Sequence, residues 1–471
     1  MGLSCPGPRD SLRVPTSWPG GGFFPGRKPL SRTDYSRGTR PRATTFSPEP
    51  ENIVTKPASA AAPSAAPCPS LFSDSGSLAE DLVEAFLAVR NETERRAAPL
   101  SPEDQLIQSM PDASPAKWHR AHTTWFFEQF LLGEHCKGYQ PFHPDYAYLF
   151  NSYYVGAGPR HARHQRGFLT RPGADEITAY RRHVDAAVVR FFREADEDTL
   201  AGIVPLVEVG LNHEQQHQEL MLTDILHAFA QNPIAPAYDS QWQFPASTRG
   251  GDEWVNLNEG IHTVGHADGS FHFDNEKPAH RALVGPVRLK RNLVTNAEWL
   301  AFMKDGGYAT PTLWLMDGFA VVCNEGWRAP GHWREADGGW QMMTLAGLQP
   351  VDPSAAVCHV SYYEADAFAR WSGKHLPTEM EWEVASRAGQ LNDTFGIVWQ
   401  WTRSAYSPYP GYRAVEGALG EYNGKFMVNQ LVLRGSSLAT PDGHSRITYR
   451  NFFYPHHRWQ FTGLRLADYA A

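Results

Sequence analysis

Two histidines spaced four residues apart are the sharpest chemical feature of this sequence. His213 and His217 lie in the run HEQQHQE, within a segment of helical apolar periodicity. Side chains at positions i and i+4 share one face of a helix, so both imidazoles can reach one metal ion. Leu206 and Leu220 continue the same face, which therefore points into the protein. The pair predicts a buried metal site rather than two core histidines satisfied by hydrogen bonds.

A metal site of this kind needs a third ligand, and the segment WHRAH supplies two candidates. His119 and His122 both lie there, on a predicted helix whose apolar face includes Trp118 and Trp125. Spacing does not choose between the two histidines. Three nitrogen ligands with open positions beside them suit iron, zinc or copper.

The run HEQQH also matches the H-E-x-x-H pattern of zinc peptidases, in which the glutamate is the general base. Here that residue is Glu214. The peptidase interpretation predicts a third ligand on the C-terminal side of the motif, and no H-x-x-G-x-x-H pattern follows Ala228. A zinc hydrolase is therefore the less favoured enzyme class. Outside enzymes, the alternative is a non-catalytic metal- or ligand-binding module.

The elements that must position these histidines have the pattern of a helical bundle. Periodicity and start signals predict five helices, which begin near residues 77, 101, 114, 174 and 204. Modest connections between them predict an up-and-down bundle. After residue 232 the pattern changes to an extended linker, and from Trp254 onward to short strand-like runs between Gly and Pro turns.

We predict an α+β multidomain protein of four parts. The 471 residues suffice for two or three domains. Residues 1–72 are rich in Pro, Gly, Ser, Ala and Arg, which predicts a disordered tail or an over-extended start. Residues 73–232 are assigned to the bundle, 233–252 to the linker, and 253–471 to a loop-rich mixed α/β domain. In that domain we predict helices over residues 294–307, 362–374 and 377–387.

Composition excludes several functional classes. The formal net charge of -8 argues against nucleic-acid binding or attachment to a membrane surface, which would call for a basic surplus. No apolar run approaches the ~18 residues that a membrane span needs. The 5 cysteines are scattered and form no C-x-x-C pair. A disulfide framework is therefore not expected. A reducing, cytoplasmic location is expected instead.

Taken in order along the chain, the motifs resemble a known family. WHRAH and HEQQHQE are similar to the DinB-like helical bundle with its pattern H…H-x-x-x-H-x-E. The second half resembles the formylglycine-generating-enzyme domain, which has a C-type-lectin-like fold. Its marks are FDNEKPAHR, VTNAEWLAF, HLPTEMEWEVASR, VWQWT, VLRGSS, YRNFF and GLRLA. The pairing of the two domains, over about residues 77–468, is similar to the EgtB family of sulfoxide synthases in ergothioneine biosynthesis.

The resemblance implies a DinB-like four-helix bundle that binds iron(II). Its ligands would be three histidines, namely His122, His213 and His217. The resemblance thus resolves the choice within WHRAH in favour of the last residue. Gln216, between the ligands of the HEQQH run, would hydrogen-bond the imidazole of the substrate.

The resemblance also implies further contacts to substrates. NSYY matches the active-site tyrosine segment of the cysteine-using branch, so Tyr153 or Tyr154 would be the proton donor. Asn451 and Phe452, within YRNFF, match the family's binding segment for a betaine, where an aromatic face can hold a trimethylammonium group. The arginines that follow NSYY could pair with an amino-acid carboxylate by two parallel hydrogen bonds. They are Arg160, Arg163 and Arg166.

The implied reaction couples hercynine, the trimethyl betaine of histidine, with cysteine, using iron(II) and dioxygen. The product would be hercynylcysteine S-oxide, and all implied partners are small molecules. Two departures, VWQWT where many relatives have VWEWT and a short stretch before it, leave γ-glutamylcysteine and a selenosugar (as in a selenoneine synthase) as alternative donors. NSYY and the arginines favour cysteine. A formylglycine-generating enzyme is not expected, because neither Cys323 nor Cys358 lies in the late segment where that activity needs its thiols.

Overall fold

Helices make up the N-terminal half of the part that the computed structural model describes, which is residues 77–247, 253–414 and 423–469. The predicted tail over residues 1–72 lies outside the described residues. Helix α2 continues directly into a π-helical stretch, Phe127–Leu132. The helices are α1 (Leu78–Ala97), α2 (Ala116–Phe126), α3 (Gly133–His135), α4 (Tyr146–Leu149), α5 (Ala174–Glu194) and α6 (Glu197–Gln231).

The four long helices form the predicted bundle. Helices α1 and α2 each pack against both α5 and α6. Their apolar faces meet in one core that includes Phe86 of α1, Trp125 of α2, Val184 of α5 and Leu211 of α6. Because every long helix buries one face against two others, the bundle holds α2 and α6, the helices with the histidine motifs, in direct contact.

Side chains at the helix starts explain where several helices begin. The Ser77 hydroxyl accepts a hydrogen bond from the Glu80 amide and so caps α1, and Asp196 caps α6 through the Thr199 amide at 2.8 Å. Such caps satisfy amide groups that have no partner within the helix. The start of α6 lies upstream of the predicted one, so the helix is 35 residues long and contains Pro205.

The prediction of a helix that begins at Ser101 is wrong. Ser101 and Asp104 do form the reciprocal backbone-to-side-chain bonds of a helix start, at 3.0 and 3.1 Å. Only a 3-10 turn follows, over Asp104–Leu106. The Gln108 side chain then donates to the carbonyl oxygens of Ala113 and Arg163, both at 2.9 Å. These tertiary bonds hold the chain in an extended conformation and outweigh the local helix signal.

The second half contains four helices and four small sheets among the described residues. Its helices are α7 (Asn296–Lys304), α8 (Met316–Glu325), α9 (Tyr362–Trp371) and α10 (Glu379–Arg387). Thr295, Ser361 and Thr378 cap α7, α9 and α10 in capping boxes. Helix α8 was not predicted: it has no capping side chain, and it buries only Gly318 and Val322, so its sequence lacks both signals.

The strands are short, as the sequence predicted, and most pairs are antiparallel. They are β1 (Trp254–Leu257), β2 (Gly260–Val264), β3 (His280–Val284), β4 (Val287–Lys290), β5 (Trp333–Ala336), β6 (Gly339–Thr344), β7 (Gly347–Pro350), β8 (Trp399–Ala405), β9 (Leu431–Gly435), β10 (Asn451–Phe453), β11 (Thr462–Gly463) and β12 (Ala467–Asp468). The sheets have the orders β1-β4-β12, β10-β9-β8-β11, β2-β3 and β5-β6-β7. Strand β11 pairs with β8 in parallel.

The two halves pack together within one compact unit, and α6 forms much of the contact. The partly buried carboxylate of Glu219 accepts hydrogen bonds from the indole of Trp399 on β8 at 2.7 Å and from the hydroxyls of Ser437 and Thr440. Two residues earlier in the chain, His217 belongs to the predicted metal site. The β8–β9 region is therefore anchored directly beside the histidines. No helix in the described ranges is both long and apolar enough to cross a membrane.

Candidate metal centre

The structure brings together the three histidines that the family resemblance implied. His122 comes from α2, and His213 and His217 come from successive turns of α6. One nitrogen of each imidazole lies within 4.8 Å of the others. The ring centroids are 4.7 to 4.9 Å apart, and the rings are steeply inclined to one another. Such a spacing allows three nitrogens to bind one ion from one side.

The hydrogen bonding of His122 shows that this cluster fits a metal ion. Its Nδ1 lies 2.6 Å from the carbonyl oxygen of Phe150, which can only accept, so Nδ1 carries the proton. Its Nε2 is buried and has no hydrogen-bond partner among the described residues. A buried nitrogen lone pair without a partner is costly, and an ion would satisfy it. Trp118 and Trp125 stack on this ring at 4.6 and 5.4 Å and fix its plane.

Electrostatics keep these imidazoles in the neutral form that binds metals. Burial lowers the pKa of His213 to about 3. Burial and the neighbouring His213 lower the pKa values of His122 and His217 well below the ordinary value of 6.5. All three rings are therefore neutral at physiological pH, with a lone pair to donate.

Glu214, the second residue of the HEQQH run, points away from the histidine cluster. Its carboxylate is fully buried and accepts hydrogen bonds from Arg90 at 2.7 Å, Arg181 at 2.9 Å and Thr93 at 2.6 Å. Burial alone would raise its pKa, but the two guanidinium groups lower it below 4.5. A glutamate bound to two arginines cannot take a proton from a water at the cluster.

The tyrosines of NSYY lie beside Trp125, one of the aromatic side chains that pack on the histidine cluster. Tyr154 is fully buried, and its ring lies 5.6 Å from Trp125 and 5.2 Å from Phe130. Phe130 belongs to the π-helical stretch, a feature that often occurs at functional sites. Tyr153 stacks on Tyr154 at 4.6 Å and is less buried. Trp125 therefore contacts both Tyr154 and the ring of His122.

The three arginines after NSYY have very different environments. Arg160 and Arg163 are exposed, whereas Arg166 is 3% exposed and lies 3.3 Å above the ring of Trp118. Arg166 donates to the hydroxyls of Ser114 and Ser152, at 2.8 and 3.2 Å. No carboxylate among the described residues pairs with it, and burial with the charge of Arg163 lowers its pKa. A buried cation of this kind favours an anionic ligand.

The other residues that the family resemblance implied in substrate binding lie on α6 and on β10. Gln216 of α6 donates through its amide to the hydroxyl of Tyr449, at 2.5 Å, two residues before Asn451. Phe452 stacks on Tyr406 with centroids 4.1 Å apart.

Phe426 lies 6.0 Å from the ring of Phe452 and 5.2 Å from that of Tyr153, and so connects the betaine segment to NSYY. Sequence reasoning missed Phe426 and Tyr406, because neither stands in a recognisable motif. Only the folded chain reveals their place beside Phe452.

Comparison with known proteins assigns both halves. Residues 85–221 match the DinB superfamily, and residues 241–395 match the sulfatase-modifying factor enzyme 1-like domain. A hercynine oxygenase of Mycolicibacterium thermoresistibile is 29% identical over 447 residues, which covers 82% of this chain and 94% of that protein. A hercynine oxygenase of Mycobacterium tuberculosis is 29% identical and covers 76% and 91%. The formylglycine-generating enzyme of Streptomyces coelicolor is 34% identical over 34% of this chain and 54% of its own length.

The fold and the matches define an oxidoreductase in which a DinB-superfamily bundle precedes a sulfatase-modifying-factor domain. The relatives that match most of the chain share both halves in this order. Over most of its length the chain is similar to hercynine oxygenases.

Proposed function

We propose that this protein is a non-haem, iron(II)- and dioxygen-dependent sulfoxide synthase that couples hercynine with cysteine to give hercynylcysteine S-oxide. One observation carries the proposal: a buried three-histidine cluster with an unsatisfied nitrogen on His122, in a chain whose relatives over most of its length are hercynine oxygenases. The coupling breaks one C–H bond of the imidazole and the S–H bond of the thiol, forms one C–S bond and oxidises the sulfur to the sulfoxide. The two oxidations release four electrons, which dioxygen accepts. One oxygen atom of dioxygen enters the product, and the other is released as water.

The three histidines would hold the metal on one side and leave positions on the other side for substrates. Iron(II) supplies dioxygen binding and electron transfer there, which no side chain of the cluster can supply. The protein contributes orientation. Trp118 and Trp125 clamp the ring of His122, and the carbonyl oxygen of Phe150 fixes its tautomer.

For hercynine we propose a site between α6 and β10. The Gln216 side chain would accept a hydrogen bond from the imidazole, while its amide group stays anchored on Tyr449. At the other end, Phe452, backed by Tyr406 and flanked by Phe426, offers an aromatic surface for the trimethylammonium group. Asn451 lies at the start of the same strand.

For the thiol we propose that the carboxylate pairs with Arg166. This guanidinium is already buried, is held by two serine hydroxyls, and stacks on the same Trp118 that stacks on His122. Arg160 and Arg163 would contribute from the exposed turn. A carboxylate at this point would place a short amino acid close to the cluster, which favours cysteine over γ-glutamylcysteine or a selenosugar.

The NSYY segment would supply the proton. Tyr154 packs against Trp125, and Tyr153 covers Tyr154 on its outer side. A phenol here would donate a proton to the oxygen that leaves as water and so favour coupling over simple oxidation of the thiol to a sulfinic acid.

Two other functions are disfavoured by particular residues. A zinc hydrolase of the H-E-x-x-H type needs Glu214 as its base, and that carboxylate is bound to Arg90 and Arg181. A formylglycine-generating activity needs a pair of reactive thiols, whereas Cys358 is buried with a raised pKa and Cys323 is exposed far from it in the chain. We also propose a reducing, cytoplasmic location, which the free thiols of Cys136 and Cys358 support.

The proposal is tested by supplying the purified full-length chain with iron(II) without oxygen, then adding hercynine, air and one donor at a time. We expect a product with the mass of hercynine plus cysteine, plus one oxygen and minus two hydrogens. His122→Ala should abolish it. Turnover with γ-glutamylcysteine or the selenosugar alone would replace cysteine as the donor, and no coupled product with any donor would overturn the proposal.

A further inference from the structure

His119, the first histidine of WHRAH, lies directly behind a member of the metal cluster. Its Nδ1 is 2.8 Å from Nδ1 of His217. Its Nε2 is 3.2 Å from a carboxylate oxygen of Asp224, which also accepts the Ser114 amide at 2.8 Å. His119 and Asp224 are 3% and 5% exposed, so water does not compete for these bonds.

The chemistry of the groups fixes the direction of this chain of hydrogen bonds. A carboxylate can only accept, so Nε2 of His119 carries the proton that faces Asp224. The neutral ring of His119 then has a lone pair on Nδ1, which must accept from Nδ1 of His217. His217 therefore carries its proton on Nδ1, and its Nε2 is the nitrogen with a lone pair for an ion.

We propose that Asp224 and His119 form a positioning relay that holds His217 in the tautomer and orientation needed to bind the metal through Nε2. His119 then acts on the metal through His217 and is not itself a ligand. The inference rests on the proposed metal site. It also accounts for both histidines of WHRAH: His122 binds, and His119 orients another ligand.

The relay makes His217 different from His122. A neutral carbonyl oxygen, that of Phe150, supports His122, whereas a carboxylate supports His217 through a second imidazole. A carboxylate behind a ligand imidazole increases the basicity of the ligand. His217 is therefore expected to be the stronger electron donor, and the relay should stabilise the oxidised metal relative to the reduced metal.

Metal affinity tests the relay independently of turnover. The apo form of the full chain would be titrated with iron(II) alone, without oxygen, in competition with a coloured chelator. His119→Phe keeps a ring in the core but removes the acceptor, and we expect roughly 10–100-fold weaker binding. His119→Asn, whose side-chain oxygen can accept from Nδ1 of His217, should recover part of the loss. Glu128→Gln is the control.

Glu128 is also a buried carboxylate of the bundle, but its partners are the hydroxyls of Tyr139 and Tyr180 and the amide of Phe142. Glu128→Gln should leave the iron affinity unchanged within about twofold. It removes a buried carboxylate, as Asp224→Asn does, but one that does not contact the histidine cluster. An affinity loss in Glu128→Gln equal to that in His119→Phe would mean that any core defect weakens the site, and would overturn the relay.

The midpoint potential of the bound iron is the second measurement. Asp224→Asn keeps an oxygen acceptor for His119 but removes the negative charge, so the potential should rise while the fold is retained. This variant also decides the matter if His119→Phe fails to fold. Unchanged affinity and potential in the variants would refute the relay, whereas a wild-type chain that binds no iron would refute the proposed function itself.

Discussion

Replacement of Glu214 by glutamine should destabilise the protein strongly, because this carboxylate neutralises two buried guanidinium groups. Arg90 and Arg181 donate to it at 2.7 and 2.9 Å, and all three side chains are at most 2% exposed. Removal of one partner from a buried ion pair costs about 3–5 kcal/mol. Arg90 retains Asp185 at 2.7 Å, and Arg181 retains Glu94 at 2.6 Å. The loss should therefore lie near the lower limit, at about 3 kcal/mol.

The stability difference should also depend on pH in a defined direction. The folded-state pKa of Glu214 is below its ordinary value of 4.5, because the two arginines outweigh the effect of burial. A carboxylate with a depressed pKa contributes stability above its unfolded pKa and loses that contribution as the pH falls through its folded pKa. The difference between wild type and Glu214→Gln should thus be full at neutral pH, begin to decrease below pH 4.5 and disappear only below the folded-state pKa of Glu214.

Urea unfolding of the metal-free full chain, followed by circular dichroism, measures this difference. Glu80→Gln is the matched control, because Glu80 pairs with Arg193 at 3.1 Å while both side chains are more than half exposed. Such surface pairs contribute at most ~1 kcal/mol. If the stability of Glu214→Gln were within about 1 kcal/mol of wild type, the structural role of Glu214 would be contradicted. If wild type hydrolysed a peptide and Glu214→Gln did not, at unchanged stability, the zinc hydrolase interpretation would be restored.

Three further predictions concern the substrate contacts. Arg166→Gln should raise the KM for cysteine roughly 10–100-fold, since a charged hydrogen bond is lost, and Arg182→Gln, at an exposed position of α5, should change it little; equal effects would argue against Arg166. Tyr154→Phe should shift the product ratio from sulfoxide towards cysteine sulfinic acid, as measured by mass spectrometry, and an unchanged ratio would remove the tyrosine from proton donation. Phe452→Leu should raise the KM for hercynine roughly 5–30-fold through loss of a cation–π contact. The inhibition constant of histidine, which lacks the trimethylammonium group, should change less; equal changes would exclude trimethylammonium recognition by Phe452.

The sequence was sufficient for the parts of the site that depend on local geometry. A spacing of four residues on an apolar helix face put His213 and His217 on one side of α6, where the structure buries His213 and partly buries His217. The choice between His119 and His122 was different in kind. It depends on Phe150, which lies 28 residues along the chain and holds His122, and on Asp224, 105 residues away, which engages His119. Helical periodicity carries no information about either contact.

Loops explain most of what the sequence could not give. The sequence alone does not distinguish Arg160, Arg163 and Arg166. In the folded chain, the 3-10 turn Arg163–Phe168 buries Arg166, whereas the other two arginines are exposed. Phe426 stands in a short 3-10 turn without a motif, yet it contacts both Tyr153 and Phe452. Roles of this kind depend on where a loop is held, not on the spacing within it.

Oxygen-isotope labelling of the product tests whether dioxygen supplies the sulfoxide oxygen. The full-length chain, loaded with iron(II), would be supplied with hercynine, cysteine and dioxygen labelled with oxygen-18. We expect a coupled product that carries one labelled oxygen on sulfur, and no such product from His122→Ala. A coupled product whose oxygen derives from water, or coupling that persists without His122, would contradict a dioxygen-dependent synthase centred on this three-histidine cluster.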